Sequence, residues 1–142
     1  INNAINGKDI LIYGNGLQIR DWLYVKDHCS AIRTVLESGR IGESYNIGGN
    51  SELTNIFVVE NVCKILDKLV PKKIGSYKSQ ITFVNDRPGH DIRYAIDASK
   101  ISNELNWKPE NKFDIALEHT IKWYLDNVEW SSRIISGEYK QQ

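Results

Sequence analysis

Three side chains in this sequence have the type and setting to hold an anion. Arg20 comes directly after a Gly14-Asn15-Gly16 turn, where a guanidinium can reach a ligand edge. Arg87 and His90 share the turn Asp86-Arg87-Pro88-Gly89-His90-Asp91, between two apolar runs that read as strands. Turns carried on a rigid scaffold are common binding positions. Two arginines and a histidine suit a diphosphate, because the guanidinium fork matches phosphate oxygens two at a time. The plain alternative is local ion pairing, Arg20 with Asp21 or Asp27 and Arg87 with Asp86 or Asp91. Residue types alone leave both readings open.

Other chemistries are excluded by spacing. A dinucleotide cradle of the G-x-G-x-x-G kind needs a glycine at position 19, where Ile19 stands, and a helix after the turn rather than the strand-like Arg20–Val25. Gly14-Asn15-Gly16 therefore reads as a hairpin-type turn, and Gly48-Gly49 as another. None of the seven tyrosines has a lysine four residues on, so the tyrosine–lysine proton-transfer pair of short-chain dehydrogenases is missing. No Ser-His-Asp order or HExxH motif occurs. His28, His90 and His119 fall on separate elements, and Cys29 and Cys63 fall in separate helical patterns. The sequence predicts no metal site, no disulfide, two buried free thiols and no catalytic residue.

The elements that must position Arg20, Arg87 and His90 alternate between strand and helix, which predicts an α/β fold. Strands are expected at Asp9–Tyr13, Arg20–Val25, Ser44–Ile47, Ile81–Val84 and Ile92–Ile96. A helix capped by Asp27 should run to Ser38 with Ala31, Ile32, Val35 and Leu36 as its apolar stripe. A longer helix from Asn55 to Leu69 should bury Val59, Val62, Cys63, Leu66 and Leu69. Pro71 stops it and opens a polar loop to Gln80. Asp97 should cap a short helix to Leu105, and Phe113–Asn127 should form the next, with Leu117, Ile121, Tyr124 and Leu125 inward and a Glu118–Lys122 pair outside. A last short helix is expected over Trp130–Tyr139.

With 142 residues the chain reads as about one domain, and 18 basic against 18 acidic residues give no electrostatic reason to expect nucleic acid or an anionic membrane as partner. Without an apolar run of about 18 residues or a basic leader, a soluble cytoplasmic protein is expected. The chain contains no methionine, and Ile1–Lys8 reads as the tail of a helix stopped by Gly7. It is therefore expected to be part of a longer protein.

Three segments carry a resemblance: Ile12–His28 (IYGNGLQIRDWLYVKDH), Ser44–Val59 (SYNIGGNSELTNIFVV) and Asp86–Pro109 (DRPGHDIRYAIDASKISNELNWKP). Together, in this order and spacing, they resemble the extended short-chain dehydrogenase/reductase superfamily. The third segment is similar to its dTDP-glucose 4,6-dehydratase branch, where related epimerases usually differ after the glycine.

That resemblance implies a role for each residue. Arg20 and Arg87 would contact the diphosphate of a dTDP-sugar with His90 beside them. Asn55 would donate an amide to the nucleotide portion, and Tyr13 would line its pocket. It implies that residues 1–142 are the C-terminal sugar-nucleotide-binding lobe, with residues 27–49 packing on an N-terminal Rossmann lobe outside this chain. The Asp27–Ser38 helix and the Ser44–Ile47 strand would then be strays from that lobe, and rearrangement, strand exchange or further residues upstream of this chain are expected to deal with the orphan strand.

It implies further that NAD is bound by the other lobe. The branch reaction is an internal redox dehydration of dTDP-glucose to dTDP-4-keto-6-deoxyglucose, which this chain alone would not perform. The homodimer contact of the superfamily would lie mostly outside the chain. Two alternatives stand beside this reading: part of another nucleotide-sugar epimerase or decarboxylase of the superfamily, and a non-catalytic nucleotide-binding module.

Overall fold

The computed structural model describes residues 1–140 as an α/β assembly of two small sheets and six helices. The short helix α1 (Asn2–Ile5) ends as Gly7 predicts, with Lys8 N–H donating back to the Asn3 carbonyl at 2.9 Å. β1 (Ile10–Tyr13) then pairs in parallel with β4 (Ile81–Val84), Ile10 opposite Ile81 and Tyr13 opposite Val84. The second sheet is centred on β2 (Ile19–Asp21). It runs antiparallel to β3 (Glu52–Thr54) and parallel to β5 (Arg93–Tyr94). Since β1 and β2 lie in different sheets, Gly14–Gly16 is a crossover and not a hairpin turn.

The strand expected at Arg20–Val25 is cut short because α2 (Val25–Ser38) begins there. Asp27 is not its cap. It lies in the first helical turn, 3% exposed, and its carboxylate accepts from the Asn111 backbone N–H at 3.2 Å and side-chain amide at 2.8 Å. The position suits a carboxylate, because the N-terminal end of a helix dipole is positive. Ala31 is fully buried, whereas Ile32 and Leu36 of the expected stripe are 44% and 82% exposed. Cys29 is also exposed, against expectation, while Cys63 is buried.

Ser44–Ile47 forms no strand and pairs with none among the described residues. Side chains hold it instead: Tyr45 and Ile47 pack on a cluster of Ala31, Ala98, Ile101 and Trp107. Just beyond it, Asp21 accepts the Gly49 N–H at 2.8 Å and the Ser51 N–H at 2.7 Å, which draws residues 49–51 onto β2.

The main core forms where α3 (Asn55–Leu69) meets α5 (Phe113–Asp126). Thr54 caps α3, its hydroxyl accepting the Phe57 N–H at 3.3 Å. Cys63 and Leu66 from α3 and Ile121 from α5 are at most 1% exposed, with Leu117 and Leu125 packed around them. Burying a leucine or isoleucine of this kind contributes about 1.5–3 kcal/mol each.

The loop after Pro71 is not wholly irregular, since Tyr77–Gln80 forms a 3-10 turn. The Asp67 carboxylate fixes it by accepting from Ser76 Oγ at 2.5 Å and Tyr77 N–H at 2.9 Å. That carboxyl is held below its usual range, first by the Ser76 hydroxyl and next by the Tyr77 N–H.

The run Ile92–Ile96 pairs only over β5. Asp97 is not the cap expected of it, since the N-cap residue of α4 (Ser99–Leu105) is Ala98, but its carboxylate does accept the Ser99 N–H at 2.8 Å. α5 carries the expected Glu118–Lys122 pair at 2.5 Å, and α6 (Val128–Ser136) follows it, then a 3-10 turn at Glu138–Lys140.

Candidate functional site

The crossover between the sheets shapes the ground around the candidate residues. Gly14 and Gly16 have φ of +59° and +72°, where an L side chain is strained. Space is short as well. A Cβ on Gly14 would lie 2.7 Å from Asp86 Oδ2, and one on Gly16 would lie 2.8 Å from Ile12 Cγ2 and 2.9 Å from Ile56 Cβ. The crossover carbonyls also occupy the first N–H groups of α3: Gly16 accepts from Ile56 at 2.9 Å and Gln18 accepts from Asn55 at 3.0 Å. Those donors are thus spent on protein and not held for a phosphate.

Asp86 is the hub of the facing turn. Its Oδ2 accepts from Gln18 Nε2 at 2.9 Å, and its Oδ1 accepts from the Arg87 N–H at 2.9 Å and sits 2.6 Å from His90 Nδ1. The His90 hydrogen bond is the main reason the Asp86 carboxyl lies below its usual range. Gln18 is 6% exposed, and its Nε2 also reaches the Tyr13 carbonyl at 3.4 Å. One polar network therefore joins residues 13–18 to residues 86–90.

A second tie lies beside it. Arg20 donates from Nη1 to the Ile19 carbonyl at 2.6 Å and from Nη2 to the Asp91 carbonyl at 3.1 Å. Neither local ion pair allowed by the sequence forms at Arg20: Asp21 is spent on residues 49 and 51, and Asp27 on Asn111.

Arg33, Arg40 and Arg93 each meet a glutamate at 2.7 Å. By contrast, Arg20 bonds only carbonyls, and the Arg87 guanidinium has no partner among the described residues. Two positive charges thus remain without a bonded carboxylate on segments that are tied together.

Tyr13, 48% exposed, ends β1 at this crossover. Asn55 is the first residue of α3, not its cap, and its side-chain amide makes no hydrogen bond among the described residues. All five candidates, Tyr13, Arg20, Asn55, Arg87 and His90, therefore lie on the crossover, on the segments bonded to it or on the facing turn. Gln18 and Asp86, which tie them, were not singled out in the sequence. A carboxylate two residues before a Pro-Gly pair was the available signal.

None of the five lines the open groove of about 920 Å³ bordered by Trp22, Tyr24, Asp27, Asn111, Phe113 and Thr120. The buried carboxylate of that groove is already satisfied by Asn111. The crossover does not fit a dinucleotide either. It runs into a strand whose first N–H, that of Ile19, is bonded to the Ile92 carbonyl at 2.8 Å. No group of three or more His, Cys, Asp and Glu placed to hold a metal occurs among the described residues. No helix among them is long and apolar enough to cross a membrane.

The chain belongs to the family described as GDP-mannose 4,6 dehydratase, whose model matches residues 1–120. Within that family it is similar to the dTDP-glucose 4,6-dehydratases. It is 55% identical over 140 residues to that of Shigella flexneri, covering 99% of this chain and 38% of the relative.

The solved dTDP-glucose 4,6-dehydratase of Bacillus anthracis, in complex with NAD, is 50% identical with a TM-score of 0.76. That of Streptomyces venezuelae, also with NAD, is 39% identical with a TM-score of 0.78. Each likeness covers 91% of this chain and 38% of the solved chain. The fold is thus that of an extended short-chain dehydrogenase/reductase, and the chain spans about two fifths of the curated relatives it matches.

Proposed function

We propose that residues 1–142 form the dTDP-sugar-binding part of a dTDP-glucose 4,6-dehydratase, a hydro-lyase. The observation that carries this reading is the pair Arg20 and Arg87. Both lack a carboxylate partner among the described residues, and both sit on segments clamped together by Gln18, Asp86 and the Asp91 carbonyl. A diphosphate supplies the anionic oxygens this arrangement leaves unmatched. His90 lies beside it, Asn55 offers an amide with no partner among the described residues, and Tyr13 offers an exposed ring to the nucleotide.

Residues 27–49 suit contact with a partner lobe. Ile32, Leu36 and Ile41 are 44%, 82% and 105% exposed, and the neighbouring Ser44–Ile47 joins no sheet among the described residues. In this reading the NAD, which supplies the hydride acceptor for internal redox, is held by that Rossmann lobe. This chain's residues bind and orient the nucleotide and perform no proton transfer.

Calorimetric titration of the protein in its native length with dTDP, using UDP as control, tests the assignment. A preference for dTDP of about tenfold, near 1.4 kcal/mol, is expected. Equal or absent binding of the two would remove the assignment. Preference for UDP would favour an epimerase or decarboxylase of the same superfamily.

A further inference from the structure

The Asp86 carboxylate takes three contacts: one on Oδ2 from Gln18, 68 residues away, and two on Oδ1 from Arg87 and His90 of its own turn. Gln18 Nε2 donates to Oδ2 at 2.9 Å, the Arg87 N–H donates to Oδ1, and His90 Nδ1 lies 2.6 Å from Oδ1. Gly14 leaves room for the Oδ2 side, since a Cβ there would sit 2.7 Å from it. The carboxylate can only accept, so the proton between Asp86 and His90 belongs to Nδ1. The His90 side chain is 6% exposed, and its Nε2 has no partner among the described residues.

We propose that Asp86, aligned by Gln18, is a positioning residue that holds the proton of His90 on Nδ1 and turns Nε2 to the ligand. The role rests on the reading of His90 as a substrate-side residue, but its test separates the two. With Oδ2 taken by Gln18 and Oδ1 facing the ring, the carboxylate has one orientation. The imidazole bonded to it then has one tautomer and one pose, as second partners of histidines commonly impose. His90 therefore meets a bound nucleotide sugar through Nε2, which accepts from a hydroxyl or N–H when the ring is neutral and donates only when the ring is protonated. Among the described residues no other side chain fixes which ring nitrogen of His90 carries the proton.

The test is ¹⁵N NMR of the histidine rings in the native-length protein, at mildly alkaline pH, with the His90 signals assigned from a His90→Gln sample. The wild type should show the Nδ1–H tautomer. In Asp86→Asn the amide can accept from Gln18 and donate to Nδ1, so the proton should move to Nε2. Asp86→Ala, which removes the acceptor without adding a donor, should also raise the Nε2–H fraction and guards against misfolding of either variant. An unchanged tautomer in a folded variant, or Nε2–H in the wild type, overturns the proposal.

Addition of dTDP should shift the Nε2 resonance more than the Nδ1 resonance. If the tautomer inverts but dTDP moves neither nitrogen, Asp86 keeps its positioning role and His90 loses its place in the substrate site.

Discussion

Replacing Arg87 by alanine separates a binding role from a structural one. Its guanidinium has no partner among the described residues and the residue is exposed, so nothing in the fold depends on it. Its backbone N–H, which does bond Asp86, survives the substitution. Stability should therefore change by less than about 0.5 kcal/mol. Binding should change much more. A charge-assisted hydrogen bond to a phosphate oxygen contributes about 1.5–3 kcal/mol, which corresponds to a loss of dTDP affinity of roughly 10- to 150-fold.

Arg20→Ala is the contrasting variant. It removes the tie to the Asp91 carbonyl, so affinity and stability should fall together, the latter by about 1–2 kcal/mol. Calorimetry with dTDP and urea unfolding, run on the same samples, read the two quantities. Affinity within about twofold of wild type in Arg87→Ala, about 0.4 kcal/mol, would refute the diphosphate assignment. A loss of affinity that tracked a loss of stability would refute the claim that Arg87 carries no structural role.

Other perturbations probe the scaffold. Asp27→Ala strands two donors of Asn111 and should destabilise the protein by about 2–4 kcal/mol in urea unfolding, with Asp27→Asn costing less. Gly16→Ala imposes φ +72° on an L residue and drives its Cβ against Ile12 and Ile56, so a cost of at least about 1–3 kcal/mol is expected by the same measurement. The Asp67 carboxyl is depressed in the fold, so its contribution exists above the ordinary carboxylate range and fades as pH falls through its lowered value. The stability gap between wild type and Asp67→Asn should accordingly narrow toward zero in acid melts. Cys63 is buried and its thiol is raised, first by that burial. A maleimide should label it only after unfolding.

Legibility in the sequence followed the range of the forces involved. α3 was bounded at Asn55 and Leu69 because apolar periodicity and Pro71 are local signals, and β4 at Ile81 and Val84 because its run is short and apolar. β3 was missed. Its three residues are strand only through pairing with β2, which their own composition does not encode.

Asp27 has the residue type of a cap, but a partner at Asn111, far along the chain, claims its carboxylate. Ser44–Ile47 has strand composition and no ladder to join. The arginines were visible as charges. What distinguishes Arg20 and Arg87 from Arg93 is which carboxylates are already taken, and that depends on contacts such as Gln18–Asp86, 68 residues apart.

That separation also governs how the site comes into being. Gln18 meets Asp86 across 68 residues and Arg20 meets Asp91 across 71, so the candidate surface exists only after long loops have closed. Closure of this kind is entropically slow compared with forming α3 or α5. A partly collapsed chain with its helices in place would have no nucleotide affinity. Nucleotide would then leave the refolding rate untouched and slow only unfolding, because it recognises the finished state alone. In kinetic terms, the nucleotide would act as a late lock and not as a template.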